Sequence, residues 1–334
     1  MYLKSPVPYP CAFFLAHGWE TTDLNSSHAF AAIYSTSTMI RILGTIFAGL
    51  LGLAFGSFLN VCLSRWPAGE SIVLPRSHCR QCGRTLAWWE NIPLVSWLAL
   101  RGRCRTCRAW IGWRYPLVEF SVGVLWALVG WRLFEPFQYA DIPTQFAIGQ
   151  QSIGLLPATA AMIFLWILVG IAVLDAEHLW IADAVTFPGI ALGLAFPVLF
   201  VSFLRTPLRL QSAFWIQFGE RVGAILAAAG LILLIRWVYW LIRRREGIGL
   251  GDAKLMALLA AWLGLPGALL AFGLGVVLGS LAAIVLLVVP SARRGSESWA
   301  LSKLPLGTFL CIGGIVSSLW GQPILAAYYR WAGF

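Results

Sequence analysis

Two aspartates lie at the ends of long apolar segments, where a carboxylate is costly unless it is paired, hydrated or used in chemistry. Asp252 stands in the sequence GLGDAKL, directly ahead of an apolar run. Asp175 ends an earlier apolar run, in ILVGIAVLDAEHLWIAD. If both runs cross a membrane in the directions derived below, the two carboxylates lie at similar depth and face each other across a helical bundle.

A pair of close carboxylates has a specific chemistry, because the two cannot both ionise and therefore share a proton. The ionised member takes a proton from water, and the protonated member polarises a carbonyl oxygen, so the pair can hydrolyse a peptide bond without a metal. Gly249 and Gly251 leave room for a substrate backbone beside Asp252. Lys254 either tunes the acidity of Asp252 or extends to lipid phosphate.

The neighbouring polar residues also have simpler interpretations. Asp183 precedes AVTFPG and suits the N-cap of the next helix, and Asp252 could cap its own helix in the same way. Glu177 and His178 are expected to face water in the short turn after Asp175. Without a second nearby histidine, His178 is not expected to bind a metal.

Four cysteines form two C-x-x-C pairs separated by 21 residues: Cys79, Cys82, Cys104 and Cys107. Two such pairs supply four thiolates for a tetrahedral zinc ion, and four protein ligands leave no open position, so the metal would be structural. Gly83 follows the first pair, where a tight turn would aim backbone N–H groups at the sulfurs. Disulfides are the alternative, and a reducing compartment disfavours them.

The composition requires a membrane. Hydrophobic residues make up 59% of the 334 residues and charged residues 11%, which is too little charge for a soluble surface. The net charge of +10 raises the possibility of nucleic acid binding, but the basic residues cluster beside apolar segments, where they orient a membrane protein. We therefore expect lipid, and not nucleic acid, as the surrounding partner.

About eight apolar stretches are predicted to be transmembrane helices: 40–63, 115–134, 157–177, 184–204, 221–242, 253–265, 267–289 and 305–328. The stretch 253–265 is short and ends at Gly264-Leu265-Pro266, so a partial or tilted helix is expected there. The runs are continuous and not alternating, which excludes a β-barrel. The predicted fold is an all-α polytopic membrane protein with a loop domain that binds zinc.

Lysine and arginine set the orientation. With eight spans, the connections 64–114, 243–254 and 291–304 fall on one side and hold sixteen of the 24 basic residues. That side is predicted to be cytoplasmic, which places the cysteine loop and both aspartates at the inner face. The connection 135–156 has no basic residue and fits the outer side, whereas Arg205 and Arg209 are exceptions in an outer loop.

Several motifs together resemble the type IV prepilin peptidases. These are GSFLNV with a following Arg65 and Pro67, ESIVLPRSHCRQCG, WWENIPLVSWLALRGRCRTC, RYPLVE, LDAEHLWIAD and GLGDAKL. The resemblance as a whole extends from about residue 50 to 320. One departure from the family pattern is Ala182, where a proline usually precedes the second aspartate. Another departure is the long segment that precedes Met39. Met39 itself looks like a natural start of the chain, directly ahead of the first helix.

The resemblance implies that Asp175 and Asp252 are an aspartyl protease pair, with Asp183, Gly249, Gly251 and Lys254 in support. It implies cleavage of the short basic leader of prepilins or pseudopilins at the cytoplasmic face of the bacterial inner membrane. It also implies N-methylation of the new N-terminus from S-adenosylmethionine, for which no nucleotide-binding motif is found. Candidate contributors to that second reaction are Glu70, Pro75, Arg76 and Glu119.

The domain organisation follows from these motifs. We expect an extension of uncertain status at 1–38, a first transmembrane helix at 39–63, the zinc loop associated with methyl transfer at 64–114, and a transmembrane peptidase domain at 115–328. The sequence carries no signal for the oligomeric state.

Other functional classes remain open at this point. Another GxGD intramembrane aspartyl protease without methyltransferase activity would share the two aspartates but not the cysteine loop. A proton-coupled transporter would place its carboxylates near the middle of the bilayer and show repeat symmetry. A zinc-dependent scaffold would leave Asp175 and Asp252 without a role.

Overall fold

The computed structural model describes residues 23–133, 154–203, 210–245, 249–288 and 304–333. Within these ranges the chain is almost entirely helical, with two isolated antiparallel bridges in the cysteine loop. The helices are α1 (Asp23–Arg65), α2 (Val95–Ala99), α3 (Arg114–Leu133), α4 (Leu155–His178), α5 (Asp183–Phe203), α6 (Leu210–Arg243), α7 (Leu250–Val288) and α8 (Leu306–Ala332).

Six helices of the described chain are long and apolar enough to cross a membrane, and α5 contributes the shorter apolar stretch Asp183–Phe196. The protein is therefore a multi-pass, all-α membrane protein, as the sequence predicts. The count of eight spans is not confirmed, because six described helices qualify by length and hydropathy. The predicted spans 253–265 and 267–289 correspond to the two parts of α7, which is interrupted at Gly264. The helical backbone of α1 begins at Asp23, inside the predicted extension 1–38.

Some predictions concern residues outside the described part of the chain. These are residues 1–22 of the extension, most of the outer connection 135–156, the exceptions Arg205 and Arg209, and most of the basic connection 291–304.

Helices α1 and α3 pack closely because glycines line their contact. A Cβ atom added to Gly56 would lie 2.7 Å from the Cα atom of Glu119, and one added to Gly123 would lie 2.6 Å from the side chain of Leu53. Small residues allow two backbones to approach in this way where lipid supplies no hydrophobic driving force. The GSFLNV sequence thus contributes a helix–helix contact through its glycine.

Helix α7 reverses direction at Gly264, where the backbone leaves the helical region (φ 71°, ψ 177°). Before the break, Leu259 packs against Gly314 of α8. After it, Gly267 accepts a hydrogen bond from Ser317 Oγ at 2.8 Å, and Gly275 packs against Leu310. Since the contacts on α8 run back from residue 317 to 310, α7 is a hairpin whose two arms both lie on α8.

The first arm of the hairpin, residues 250–263, rises only about 20 Å. It is thus shorter than the ~30 Å of hydrocarbon that a complete span crosses, which agrees with the partial helix expected there. Its break leaves backbone carbonyls without helical partners, and these must be satisfied inside the protein. The Arg221 guanidinium of α6 donates to Ala261 O and Trp262 O, each at 2.9 Å. Arg221 therefore stabilises the tip of the hairpin that carries Asp252.

We expect Arg221→Met to destabilise the protein by about 3 kcal/mol, because two buried carbonyls lose a charged donor. The thermal unfolding midpoint of the detergent-solubilised protein measures this change. Arg330→Met is the matched control, since Arg330 is exposed and bonds only Ala326 O of its own helix. Equal midpoints for the two variants would show that Arg221 does not hold the hairpin.

The largest buried core lies where α4, α6, α7 and α8 meet. Phe164 of α4 stacks on Trp262 of α7 with ring centroids 5.0 Å apart, and the Trp262 indole donates to Gly189 O of α5 at 2.9 Å. Leu168, Leu258 and Leu259 are fully buried in the same cluster. This packing fixes the first arm of α7 against α4, which is the helix that carries Asp175.

Candidate active site and metal centre

Asp175 lies in the last turn of α4 and is 6% exposed. Its Oδ2 atom accepts the backbone N–H of Thr308 at 2.7 Å and lies 3.2 Å from the Thr308 hydroxyl. Thr308 is in the first turn of α8, where backbone N–H groups lack helical acceptors and the helix dipole favours an anion. The N-terminus of one helix thus holds a carboxylate from the end of another.

Asp252 lies in the first turn of α7 and is 9% exposed. Its Oδ2 atom accepts the N–H of Gly249, three residues earlier, at 3.2 Å. This is the backward half of a capping box, in which a side chain of the first helical turn satisfies a free N–H before the helix. The bond orients the carboxylate toward the start of its own helix.

The two carboxylates line one cavity of about 250 Å³. Its lining comprises Asp175, Leu179, Trp180, Ile181, Asp183, Gly249, Gly251, Asp252 and Lys254. Both side chains are buried, so their charges interact without the screening that water would provide. A pair of buried, mutually repelling carboxylates in one cavity is the arrangement in which a proton is shared.

The supporting residues have more specific contacts than the sequence indicates. Lys254 Nζ lies 2.6 Å from Asp183 Oδ1, so the ammonium pairs with this carboxylate at the cavity edge. Helix α5 begins at Asp183 itself. Gly251 packs against Ile181, since an added Cβ would lie 3.1 Å from the Ile181 side chain. Its small size therefore serves the packing of the chain around the cavity.

The cavity and the cysteine loop lie at the same end of the bundle. The loop leaves α1 at Arg65 and returns to α3 at Arg114, whose guanidinium is 2.7 Å from Glu177 Oε2. Glu177 and His178 are both exposed, as expected, and Glu177 also makes this ion pair. The pair connects the end of the cysteine loop to the last turn of the helix that carries Asp175.

Gly307 and Thr308 are site residues that sequence reasoning missed. They lie in the stretch LPLGTFL, more than 130 residues from Asp175 in the chain, and no spacing or charge marks them. A Cβ atom added to Gly307 would lie 2.9 Å from Asp175 Cγ and Oδ2. Glycine here allows α8 to approach the carboxylate closely.

We expect Gly307→Ala to lower peptidase activity by about tenfold or more, because the added methyl group displaces Asp175 from its position. Cleavage of a prepilin in detergent measures the effect. The matched control is Gly273→Ala in the second arm of α7, where an added Cβ meets no atom within 4 Å. Wild-type activity in Gly307→Ala would show that Asp175 tolerates the displacement.

The four loop cysteines form one cluster, in which all four sulfur atoms lie within 4.8 Å of one another. Cys79 Sγ and Cys107 Sγ are 3.7 Å apart. Zinc–sulfur bonds of about 2.3 Å in a tetrahedron place the sulfurs roughly 3.8 Å from each other, so the donor set fits the ion. Among the described residues, the four cysteines therefore form a cluster that could hold a metal ion, as their spacing predicts.

Each C-x-x-C pair is built on the same turn. Cys79 N–H donates to Arg84 O at 2.9 Å, and Cys104 N–H donates to Ala109 O at 2.9 Å. The residue four positions after each first cysteine has a positive φ, 69° at Gly83 and 58° at Arg108. The second turn therefore adopts the same backbone without a glycine, at a conformational cost for Arg108.

Backbone N–H groups reach a sulfur in the second turn. The N–H groups of Cys107 and Thr106 point at Cys104 Sγ and lower the pKa of the Cys104 thiol to about 6. A thiol that loses its proton this readily is prepared to act as a thiolate ligand. The sequence predicted such N–H contacts in the first turn, at Gly83, whereas the contacts to Cys104 lie in the second turn.

Hydrogen bonds fasten the loop to the membrane helices. Arg65 is buried and donates to Ser71 O and Pro75 O at 2.7 and 2.6 Å. Arg80 donates to Ser64 O at 2.9 Å. These two arginines hold the cysteine turns against the end of α1.

A second ion pair holds the middle of the loop. Glu90 is 2.7 Å from Arg84 and also accepts the N–H of Ala87. The hydrogen bond from Arg84 lowers the pKa of Glu90, so the carboxylate stays ionised at neutral pH. Glu90 thus joins the first cysteine turn to the helical segment that follows it.

Trp97 lies in the core of the loop. Its indole donates to Ile111 O at 3.0 Å, and its ring packs against Trp110 and Trp113. These contacts place Trp97 in the core of the cysteine loop. Trp88 and Trp113 are 76% and 66% exposed and remain available to the membrane surface.

The candidates for methyl-donor binding differ in their surroundings. Glu119 is buried and accepts the N–H of Leu94 at 2.8 Å, which ties the loop to α3. Glu70 and Arg76 are exposed. Glu119 therefore has a structural contact of its own, and only Glu70 and Arg76 present free polar groups to a ligand.

Comparison with known proteins gives consistent matches. The sequence model of the bacterial peptidase A24 N-terminal domain matches residues 50–133, and that of the type IV leader peptidase family matches residues 162–284. The prepilin leader peptidase/N-methyltransferase of Stutzerimonas stutzeri is 32% identical over 85% of this chain and 93% of its own length.

Proteins of the same name from two other bacteria are also similar. That of Pseudomonas putida is 33% identical over 86% of this chain and 94% of its own length. That of Myxococcus xanthus is 34% identical over 78% of this chain and 68% of its own length. No solved structure matches the chain significantly.

Proposed function

Because the chain belongs to the family of prepilin leader peptidases/N-methyltransferases, we propose that it cleaves the leader of a prepilin or pseudopilin and methylates the new N-terminal residue. The observation that carries the proposal is the shared cavity of Asp175 and Asp252, two buried carboxylates from different helices. Their position at the end of the bundle suits a substrate that crosses the membrane surface. A proton relay of a transporter would require carboxylates deeper in the bilayer.

The two carboxylates divide the hydrolysis between them. Water loses a proton to the ionised carboxylate, and its oxygen bonds to the carbon of the scissile carbonyl, whose oxygen takes the proton of the other carboxyl group. The resulting diol collapses when the nitrogen takes the first proton and the C–N bond breaks. The second carboxylate recovers its proton from the diol, and both groups return to their starting state.

The active site faces the cytoplasm of the bacterial inner membrane in this proposal. The cysteine loop lies at the same end of the bundle as the cavity, and residues 64–114 hold nine arginines. Basic connections remain on the cytoplasmic side of bacterial membranes. The peptide bond to be cut therefore meets the carboxylates on the cytoplasmic side of the membrane.

The four-cysteine loop binds structural zinc in this proposal. A bound ion contributes folding free energy by joining two turns that are 21 residues apart in sequence. Residues 64–114 then form the loop domain associated with methyl transfer, and residues 115–328 form the peptidase domain. Asp183 and Lys254 support the rim of the cavity through their ion pair.

S-adenosylmethionine is the proposed methyl donor, as a substrate of the second reaction. The new N-terminal amine attacks its methyl group, and the amine loses a proton. Glu70 and Arg76 are the candidate contacts because both are exposed on the loop beside α1. The assignment rests on family membership and not on a recognised cofactor motif.

Mass spectrometry of a co-expressed pilin tests both reactions in one measurement. We expect the mature N-terminus to lack the leader and to carry one additional methyl group. Cleavage without methylation would instead identify a GxGD peptidase that lacks the second activity. An intact leader in the presence of the membrane-inserted protein would contradict the peptidase assignment.

A further inference from the structure

The two carboxylates of the cavity have unequal hydrogen-bond partners. Asp175 Oδ2 accepts the Thr308 N–H at 2.7 Å and has the Thr308 hydroxyl at 3.2 Å. Among the described residues, Asp252 Oδ2 has one donor, the Gly249 N–H, at 3.2 Å. Donors to a carboxylate stabilise its ionised form, and shorter bonds do so more strongly. These hydrogen bonds therefore favour the negative charge on Asp175 over that on Asp252.

We propose that Thr308 is a positioning residue that keeps Asp175 as the ionised member of the pair, so that Asp175 takes the proton of water and Asp252 carries the shared proton. The proposal rests on the proposed peptidase function. That function requires one ionised and one protonated carboxylate, and the proposal says which is which. Thr308 does not line the cavity, and it acts through Asp175 alone.

Thr308 fixes one oxygen of Asp175. Its N–H and its hydroxyl both reach Oδ2, and the Gly307 N–H also acts on the Asp175 carboxylate. Because Thr308 occupies Oδ2 of Asp175, water is directed to Oδ1. Rotation of the carboxylate about its Cβ–Cγ bond would break the 2.7 Å bond to Thr308 N–H.

The Thr308 hydroxyl can change its hydrogen-bond acceptor when the charge of Asp175 changes. It carries one proton and has two acceptors, Asp175 Oδ2 at 3.2 Å and Ala172 O at 2.9 Å. While Asp175 is ionised, the hydroxyl donates to it. After Asp175 has taken a proton from water on Oδ1, the hydroxyl turns to Ala172 O, and no group is left without a partner.

Other titratable groups surround Asp175 and remain unchanged in the test. They are Asp252 and Lys254 of α7, Cys311 of α8, Asp183 of α5, Glu177 and His178 of α4, and Arg114 of α3. Since Lys254 pairs with Asp183 and Arg114 with Glu177, neither cation is committed to Asp175. The start of α8 therefore supplies the specific stabilisation of its charge, through the Thr308 N–H and hydroxyl together with the Gly307 N–H.

Thr308→Val tests the proposal, because valine keeps the shape and the backbone N–H and removes only the hydroxyl. We expect kcat for prepilin cleavage to fall about tenfold with KM unchanged. We also expect the acidic limb of the kcat/KM profile to move to higher pH, since Asp175 then holds its proton more tightly. Thr308→Ser should restore both values to near those of the wild type.

Thr186→Val is the matched control. Thr186 is fully buried, and its hydroxyl donates to Ala182 O at 2.9 Å without touching either carboxylate. The loss of this buried hydroxyl should leave kcat and the acidic limb as in the wild type. If Thr308→Val does not fold, Thr308→Ala takes its place with the same expected results.

Several outcomes overturn the proposal. Wild-type kcat and pH profile in Thr308→Val would do so, as would a lower kcat without movement of the acidic limb, which indicates a structural effect only. Failure of Thr308→Ser to restore activity would also contradict it. These results leave the peptidase function intact as long as the wild type cleaves prepilin and Asp175→Asn does not, so the two failures are distinguishable.

Discussion

Asp175→Asn and Asp252→Asn are each expected to abolish prepilin cleavage, with a loss of about 10³-fold or more in kcat, while the protein still folds. An amide cannot take a proton from water, and it cannot replace the shared proton of a carboxyl pair. The fold should persist because an Asn oxygen can still accept the N–H of Thr308 or of Gly249, as the carboxylates do. Incubation of each purified variant with a prepilin measures the loss.

Glu220→Gln is the control for this prediction. Glu220 is exposed near the start of α6, and its neighbour Arg221 contacts the hairpin tip at the end remote from the carboxylates. The same carboxyl-to-amide change there should leave cleavage unaffected. If either aspartate variant retains full cleavage, that residue is not a member of the catalytic pair, and the hydrolysis must be assigned differently.

Cys79→Ser should reduce the bound zinc from about one ion per chain to close to none and lower the stability of the protein. Its sulfur lies 3.7 Å from that of Cys107, and removal of one thiolate breaks a four-ligand site. Structural zinc contributes several kcal/mol of folding free energy, so we expect a clearly lower thermal midpoint. Elemental analysis and thermal unfolding of the purified proteins provide the two measurements.

Cys62→Ala is the matched control for the metal prediction. Cys62 is buried within α1 and does not belong to the four-cysteine cluster, so its loss should leave the zinc content unchanged. Wild-type protein free of zinc after expression in zinc-replete medium would contradict the metal assignment. Four closely spaced free thiols would then need another explanation, such as reversible oxidation.

The metal cluster is the part of the protein that sequence reasoning predicted most completely. Each C-x-x-C pair forms its turn from adjacent residues, so the position of two sulfurs follows from local backbone geometry. The way the two turns meet was not predictable in the same way. It depends on the Trp97, Trp110 and Trp113 cluster and on the arginines that fasten the loop to α1.

The membrane depth of the two aspartates could be predicted from the sequence, but their contacts could not. Hydropathy and basic residues indicated that Asp175 and Asp252 end and begin segments at the same membrane face. The partners of the carboxylates could not be inferred, because Thr308 approaches Asp175 from 133 positions away in the chain. Lys254 was expected to act on Asp252 or on lipid, and its contact with Asp183 also depends on how α5 and α7 pack.

The sequence by itself determined the class of the protein, the apolar segments, the cysteine turns and the acidic residues, because each depends on composition or on neighbours within a few positions. Only the tertiary structure decided that α7 folds back at Gly264, that Arg221 satisfies its broken end, and that Thr308 hydrogen-bonds Asp175. These features arise where distant helices touch. A contact of that kind depends on the packing of both surfaces at once, which no local pattern of residues contains.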